Sequence, residues 1–143
     1  MLITGERALL VGVLCSAVAA IAHLACIVLG APAYRFMGAG EKMARAVEAG
    51  KLRPTLATFA ISGVLSVWAA YALGNAGVIS PLPLSTLALP AICAAYLGRA
   101  IAFPLLKHSF PENSNTFWLV SSSICLLIGL VHLYGVVFVW RAL

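Results

Sequence analysis

Three ionisable side chains lie inside long apolar stretches of this 143-residue chain: His23, Arg99 and His132. Burying such groups in an apolar setting is costly, so they are the first candidates for chemistry. Paired histidines could ligate a haem, but axial ligands must approach one iron at a common depth. His23 lies seven residues before Gly30 and Arg99 seven before Leu106, which puts both about 10 Å from one end of their segments. His132 lies eight residues before Trp140, towards the opposite end, a mismatch on the order of 10 Å. No haem or metal is therefore expected. Each histidine has a plainer reading as a neutral side chain hydrogen-bonded to a neighbouring helix. Arg99 either snorkels its guanidinium to the interface or grips an anion in bidentate fashion, with His23 at the same depth to complete the site.

The neighbours of these residues are small or weakly polar. Gly12, Ser16, Ala19, His23, Cys26 and Gly30 recur in steps of three and four, as do Ser122, Cys125, Gly129 and His132. Two further stripes are Thr55, Thr58, Ser62, Ser66 and Ala69, and Ala88, Ala91, Ala95, Gly98 and Ala102. Such seams let helices approach closely in lipid. A sharper reading is a polar-lined pocket between the first and last helices, with Tyr96 and Tyr134 at its margins. The candidate ligand-binding set is then His23, Arg99, Tyr96, His132, Tyr134 and Ser122.

Several mechanisms are disfavoured. No carboxylate occurs in an apolar run, which removes the usual proton or cation relay. The motifs GxxxxGK[ST], HExxH and GxSxG are absent, and Ser121, Ser122 and Ser123 have no carboxylate to orient His132 as a base. Cys15, Cys26, Cys93 and Cys125 form no CxxC pair and read as packing residues. No catalytic residue is assigned.

The elements that must position these groups follow from composition. Hydrophobic residues make up 63% of the chain and charged residues 9%, against about a quarter charged in a soluble domain. This identifies an all-α polytopic integral membrane protein, one domain over residues 1–143. The net charge of +5 suits anionic lipid headgroups rather than nucleic acid, because the cations flank apolar runs. Four spans are expected at about 8–30, 55–73, 84–106 and 116–139, each near the 20 residues that cross a bilayer. Ala31-Pro32-Ala33 has the form of a signal-peptidase site, but the preceding apolar run is longer than a signal core and is expected to be retained. Gly74, Asn75, Gly77, Ser80, Pro81 and Pro83 mark the turn between the second and third helices. Pro90 and Pro104 should kink the third, and Trp140-Arg141 forms an interfacial pair.

Residues 31–53 form a polar island holding Arg35, Lys42, Arg45, Lys51 and Arg53, which are expected to contact anionic headgroups. Within it Gly40 to Ala49 reads as a short amphipathic helix on the cytoplasmic surface, with a Glu41–Arg45 pair on its wet face. With Arg99 and Lys107 added, seven cations fall on the island's side and only Arg7 and Arg141 on the other. The positive-inside bias makes that side cytoplasmic and both termini periplasmic in a bacterial inner membrane.

In layout, four short spans with exterior termini and a basic first cytoplasmic loop, the chain resembles the membrane-associated eicosanoid and glutathione metabolism proteins. Arg45, Glu48 and Arg53 stand near the start of the second helix, where that family has an Arg-rich segment with Asn and Glu. Here the Asn is missing and Pro54 intervenes. Arg99 stands where a helix-three Arg is expected. The resemblance implies a trimer and a transferase using an anionic cosubstrate, glutathione in that family. The residues themselves point first to a non-enzymatic protein that binds a lipid or lipophilic ligand, or to a subunit of a membrane assembly, either as a homo-oligomer or with a partner. An oligomeric channel or transporter is the third class.

Overall fold

A computed structural model describes residues 3–140, and 82% of these are helical, with no strand among them. Seven helices follow in order: α1 Ile3–Leu29, α2 Ala31–Phe36, α3 Glu41–Glu48, α4 Arg53–Asn75, α5 Ser85–Ile101, α6 Phe103–Ser109 and α7 Asn115–Trp140. α1, α4 and α7 are each long and apolar enough to cross a membrane. α5 and α6 together would make a fourth crossing, but they meet at a 65° bend. The expected Trp140–Arg141 pair falls partly outside the described residues.

α1 is the central helix, packed on both α4 and α7, while α5 packs on α7. Small residues set the closeness of these contacts. A Cβ on Gly129 would come within 2.7 Å of Leu97, so α5 and α7 touch there almost backbone to side chain. Ser62 donates to the Ala20 carbonyl at 3.0 Å and ties α4 to α1. The stripes predicted on α1 and α7 do face inward, with Gly12, Ser16, Cys26, Gly129 and His132 buried. The stripe predicted on the third helix does not. Ala91 and Ala95 are exposed, and Leu89, Ile92, Cys93, Tyr96 and Ala100 form the packed face of α5 instead. Larger side chains bury more apolar area per contact, and they outcompete the alanines for the inner face.

The third helix also differs in shape. The chain passes through Pro90 without leaving the α5 helix, and the break comes at Ala102, two residues before Pro104. Pro104 sits in the first turn of α6, where its missing N–H costs nothing, so proline starts a new helix here rather than kinking an old one.

The polar island is more structured than a loop. Gly30 adopts φ 77°, a left-handed conformation open to glycine, and turns the chain directly into α2. Ala31 and Tyr34 of α2 are buried with Cys26 and Ala44, and Met43 and Val47 of α3 pack against them. The apolar side of α3 is therefore partly covered by protein, with Ala44 buried and Met43 and Val47 half-buried. Tyr34 Oη and Thr58 Oγ1 are 2.9 Å apart and fasten α2 to α4.

A second loop closes over the island. Glu112 accepts from the Glu41 N–H at 2.7 Å, a carboxylate on the positive end of α3, and Asn113 donates to Gly38 O at 3.1 Å. Residues 31–53 and 110–114 thus meet at one end of the bundle. At the other end Gly5 and Gly135 lie against Phe138 and Leu9, and Tyr71 donates to Pro83 O across the α4–α5 turn.

Candidate functional site

The structure divides the candidate residues between an enclosed cluster and an open groove. The cluster lies where α1, α5 and α7 converge. His132 and Ser16 have no exposed surface and Tyr96 is nearly buried. His132 Nδ1 stands 2.9 Å from Ile128 O, which requires that nitrogen to carry the hydrogen and leaves Nε2 as the acceptor. The imidazole stacks on the Tyr96 ring at 5.4 Å between centroids, and Trp68 meets the same ring edge-on at 5.1 Å. Tyr96 Oη and Ser16 Oγ share one hydrogen at 2.8 Å. The α1 backbone covers Nε2, since a Cβ on Gly12 would lie 2.8 Å from it, and Nε2 has no partner among the described residues. This cluster fixes three helices in register but offers no opening.

His23 belongs to neither region. Its Nδ1 donates to Ala19 O at 2.7 Å on its own helix, and no hydrogen bond joins it to Arg99 among the described residues. His132 faces Gly12, eleven residues from His23 along α1, so the two imidazoles are separated by about 16 Å of helix and cannot share one metal. Among the described residues no three of His, Cys, Asp and Glu are grouped as a metal site. Tyr134 stands on the outer face of α1 and α7, in a 590 Å³ groove with Ala8, Val11, Leu127 and Val137, where its hydroxyl is the sole polar side-chain group. That surface would accept any apolar chain and selects none.

The second groove, about 410 Å³, occupies the elbow between the α5–α6 bend and α7. Its wall is graded. Ile101, Phe103, Leu119 and Leu126 make the apolar part, and Lys107, Asn115, Ser122 and Ser123 supply polar groups. Lys107 donates to the neutral amide of Asn115, so its charge meets no carboxylate. Trp118, only 4% exposed, forms part of the wall, and its Nε1–H has no partner. Behind it Arg99 lies over the indole, 5.3 Å from the ring centroid, within range of a cation–π contact. Arg99 Nη2 reaches Ser121 Oγ at 3.4 Å, while Nη1 and Ser122 Oγ are buried without partners. The serine run is otherwise spent on its own helix, Ser121 on Trp118 O and Ser123 on Leu119 O.

No protein-family model, curated protein or solved structure matches this chain. The layout resemblance therefore carries no residue into the site, and its chemistry follows from these side chains.

Sequence reasoning missed Trp118, although an indole one turn before Ser122 on the same helix is a visible signal. It also missed Glu112, the single acid of the second loop. On the island the basic residues are not equivalent. Arg35 binds Glu41 through Nε and Nη2 at 2.9 Å and Glu48 through Nη1 at 2.8 Å, and the expected Arg45–Glu41 contact is secondary at 3.3 Å. The hydrogen bonds donated by Arg35 hold the Glu41 carboxyl down to about 2, and donating first to Glu41 and then to Glu48 pushes the Arg35 guanidinium up. Lys42, Lys51 and Arg53 pair with no carboxylate among the described residues and remain available to outside anions.

Proposed function

We propose that the chain is a four-span bacterial inner-membrane protein that takes a lipid or other lipophilic ligand into the groove at the α5–α6 elbow. One observation carries the reading: the groove is apolar along α5, α6 and α7 yet holds Lys107 and unpartnered polar atoms of Trp118 and Ser122 in or beside its wall. Ligand sites combine a mostly apolar lining with a few placed polar groups, within roughly 300–1,000 Å³. α6 has no buried residue, so it forms one side of the groove without being locked into the core.

In this reading α5 and α6 make the third crossing, and the end formed by residues 31–53 and 110–114 faces the cytoplasm. The free cations Lys42, Lys51 and Arg53 then lie beside anionic headgroups, each contributing about 1 kcal/mol of attraction. The exposed apolar sides of α1, α4 and α7 are covered by lipid or by further copies of the chain.

The test fills the groove. Leu119→Trp and Leu126→Trp place an indole in the apolar part, and lipid retained by the purified protein is read by native mass spectrometry. Retention should fall in both variants while the helical circular dichroism stays unchanged. Undiminished retention in both would refute the assignment of the groove.

A further inference from the structure

We propose that the molecule bound in the elbow groove carries an anionic headgroup, a phosphate or carboxylate, and that Arg99 is its counter-ion. The inference rests on the groove being the lipid site and adds the charge class of its occupant.

The argument starts from what Arg99 lacks. A guanidinium is charged at any relevant pH and has five N–H donors and no acceptor. Arg99 uses them on one long contact to Ser121 Oγ and on the face of Trp118. No carboxylate occurs between Arg53 and Glu112, and no ion pair reaches Arg99 among the described residues. Arg99 is half-buried, and its Nη1 is enclosed without a partner; a charge partly withdrawn from water with one donor unmatched favours an anion at that nitrogen. Snorkelling does not relieve it. The half-buried side chain leaves part of the guanidinium accessible, but Nη1 has almost no accessible surface, so water does not serve that donor.

The surroundings have the same polarity. Trp118 Nε1 is a donor and nothing else, it belongs to a side chain 96% buried in the groove wall, and it too is unpartnered. Lys107 adds a second cation, one that lines the groove itself. Two cations and a lone indole N–H, unmatched by any acid, suit an acceptor-rich anion and repel a cationic headgroup. Trp118 is the wall between Arg99 and the groove. A headgroup reaches Nη1 only when the indole turns aside, so binding should alter tryptophan emission.

The experiment compares three single-chain amphiphiles with the same oleoyl tail: oleoyl lysophosphatidic acid, oleate and neutral mono-oleoylglycerol. Each is titrated into the full-length protein in a neutral detergent, and binding is read by tryptophan emission and by native mass spectrometry. At least one anion should bind wild type ten-fold or more tighter than mono-oleoylglycerol. Arg99→Gln should erase that preference without weakening mono-oleoylglycerol, and Arg99→Lys should recover under a tenth of it, because a point charge lacks the bidentate fork. If wild type binds all three equally, the anion inference fails and the groove reading stands. If none binds, both fail. Inorganic phosphate is the fourth probe: binding as tight as that of the lysolipid would remove the need for a chain and overturn the groove reading alone. The wild-type comparison needs no variant to fold.

Discussion

Gly12 brings the α1 backbone directly onto the His132 ring of α7, and Gly12→Ala measures how firmly the His132 cluster is built. The added Cβ would lie 2.7 Å from His132 Cε1, 2.8 Å from Nε2 and 3.0 Å from Nδ1. Carbon atoms rest at about 3.5–4.0 Å, so the ring must retreat by nearly 1 Å. It has nowhere to go. Tyr96 stacks on it, and the 2.9 Å bond from Nδ1 to Ile128 O fixes its height. Overpacking of this kind costs about 1–3 kcal/mol, and pulling Nδ1 off its carbonyl adds roughly 0.5–1.5. The expected loss is about 3 kcal/mol, roughly a hundredfold in the unfolding constant. Equilibrium unfolding in mixed micelles, followed by circular dichroism, measures it. The decisive comparison is a double-mutant cycle with His132→Ala, where the methyl group has room and Gly12→Ala should cost under about 0.5 kcal/mol. An equal cost in both backgrounds would refute the contact.

Two further outcomes are expected. Glu41 is held at about 2 in the folded protein against an ordinary 4.5, so its pairing with Arg35 stabilises the α2–α3 unit at pH above 4.5 and is lost as pH falls through 2; a carboxyl NMR titration should give a midpoint near 2 that rises towards 4.5 in Arg35→Gln, and an unmoved midpoint would discount the pair. A reporter fused after Leu143 should register outside the cytoplasm and one inserted near Ala44 inside it, and reversed signals would invert the proposed topology.

The long helices were legible in the sequence because a membrane-crossing segment needs length and uniform apolarity, and α1, α4 and α7 have both. Their observed ends fall within a few residues of the expected ones, except that α1 begins five residues earlier. The α5–α6 bend was not legible as such. Pro104 announced an irregularity, but whether a proline kinks a helix or opens a new one depends on where the preceding turn ends. α2 escaped notice because six residues, APAYRF, have no periodicity to read and fold only by burying Ala31 and Tyr34 against other helices. The site was half legible. Gly12, Ser16 and His132 share one seam because spacing along helices survives into packing. His23 spends its Nδ1 on Ala19 O of its own helix and makes no hydrogen bond to Arg99 among the described residues, a partner choice that depth along a helix does not reveal. Arg99 lies over the Trp118 indole, and that cross-helix contact is invisible in a linear pattern.

The bend at Ala102 also changes what this protein asks of its bilayer. α5 has 17 residues and is only about 26 Å long, while α1 and α7, with 27 and 26, reach about 40 Å. In the proposed topology a hydrocarbon core of about 30 Å is exceeded by α1 and α7, whereas α5 alone falls about 4 Å short of it and needs the tilted α6 to complete the crossing. On the α5–α6 flank of that topology lipid would thin or the bundle would tilt, at fractions of a kcal/mol per ångström of mismatch. Headgroups would then ride lower beside α6 than anywhere else around the bundle, close to the mouth of the elbow. Acyl-chain length in the host membrane becomes a variable to which this flank responds, and in thick bilayers the chain would gather the thinnest lipid around its own groove.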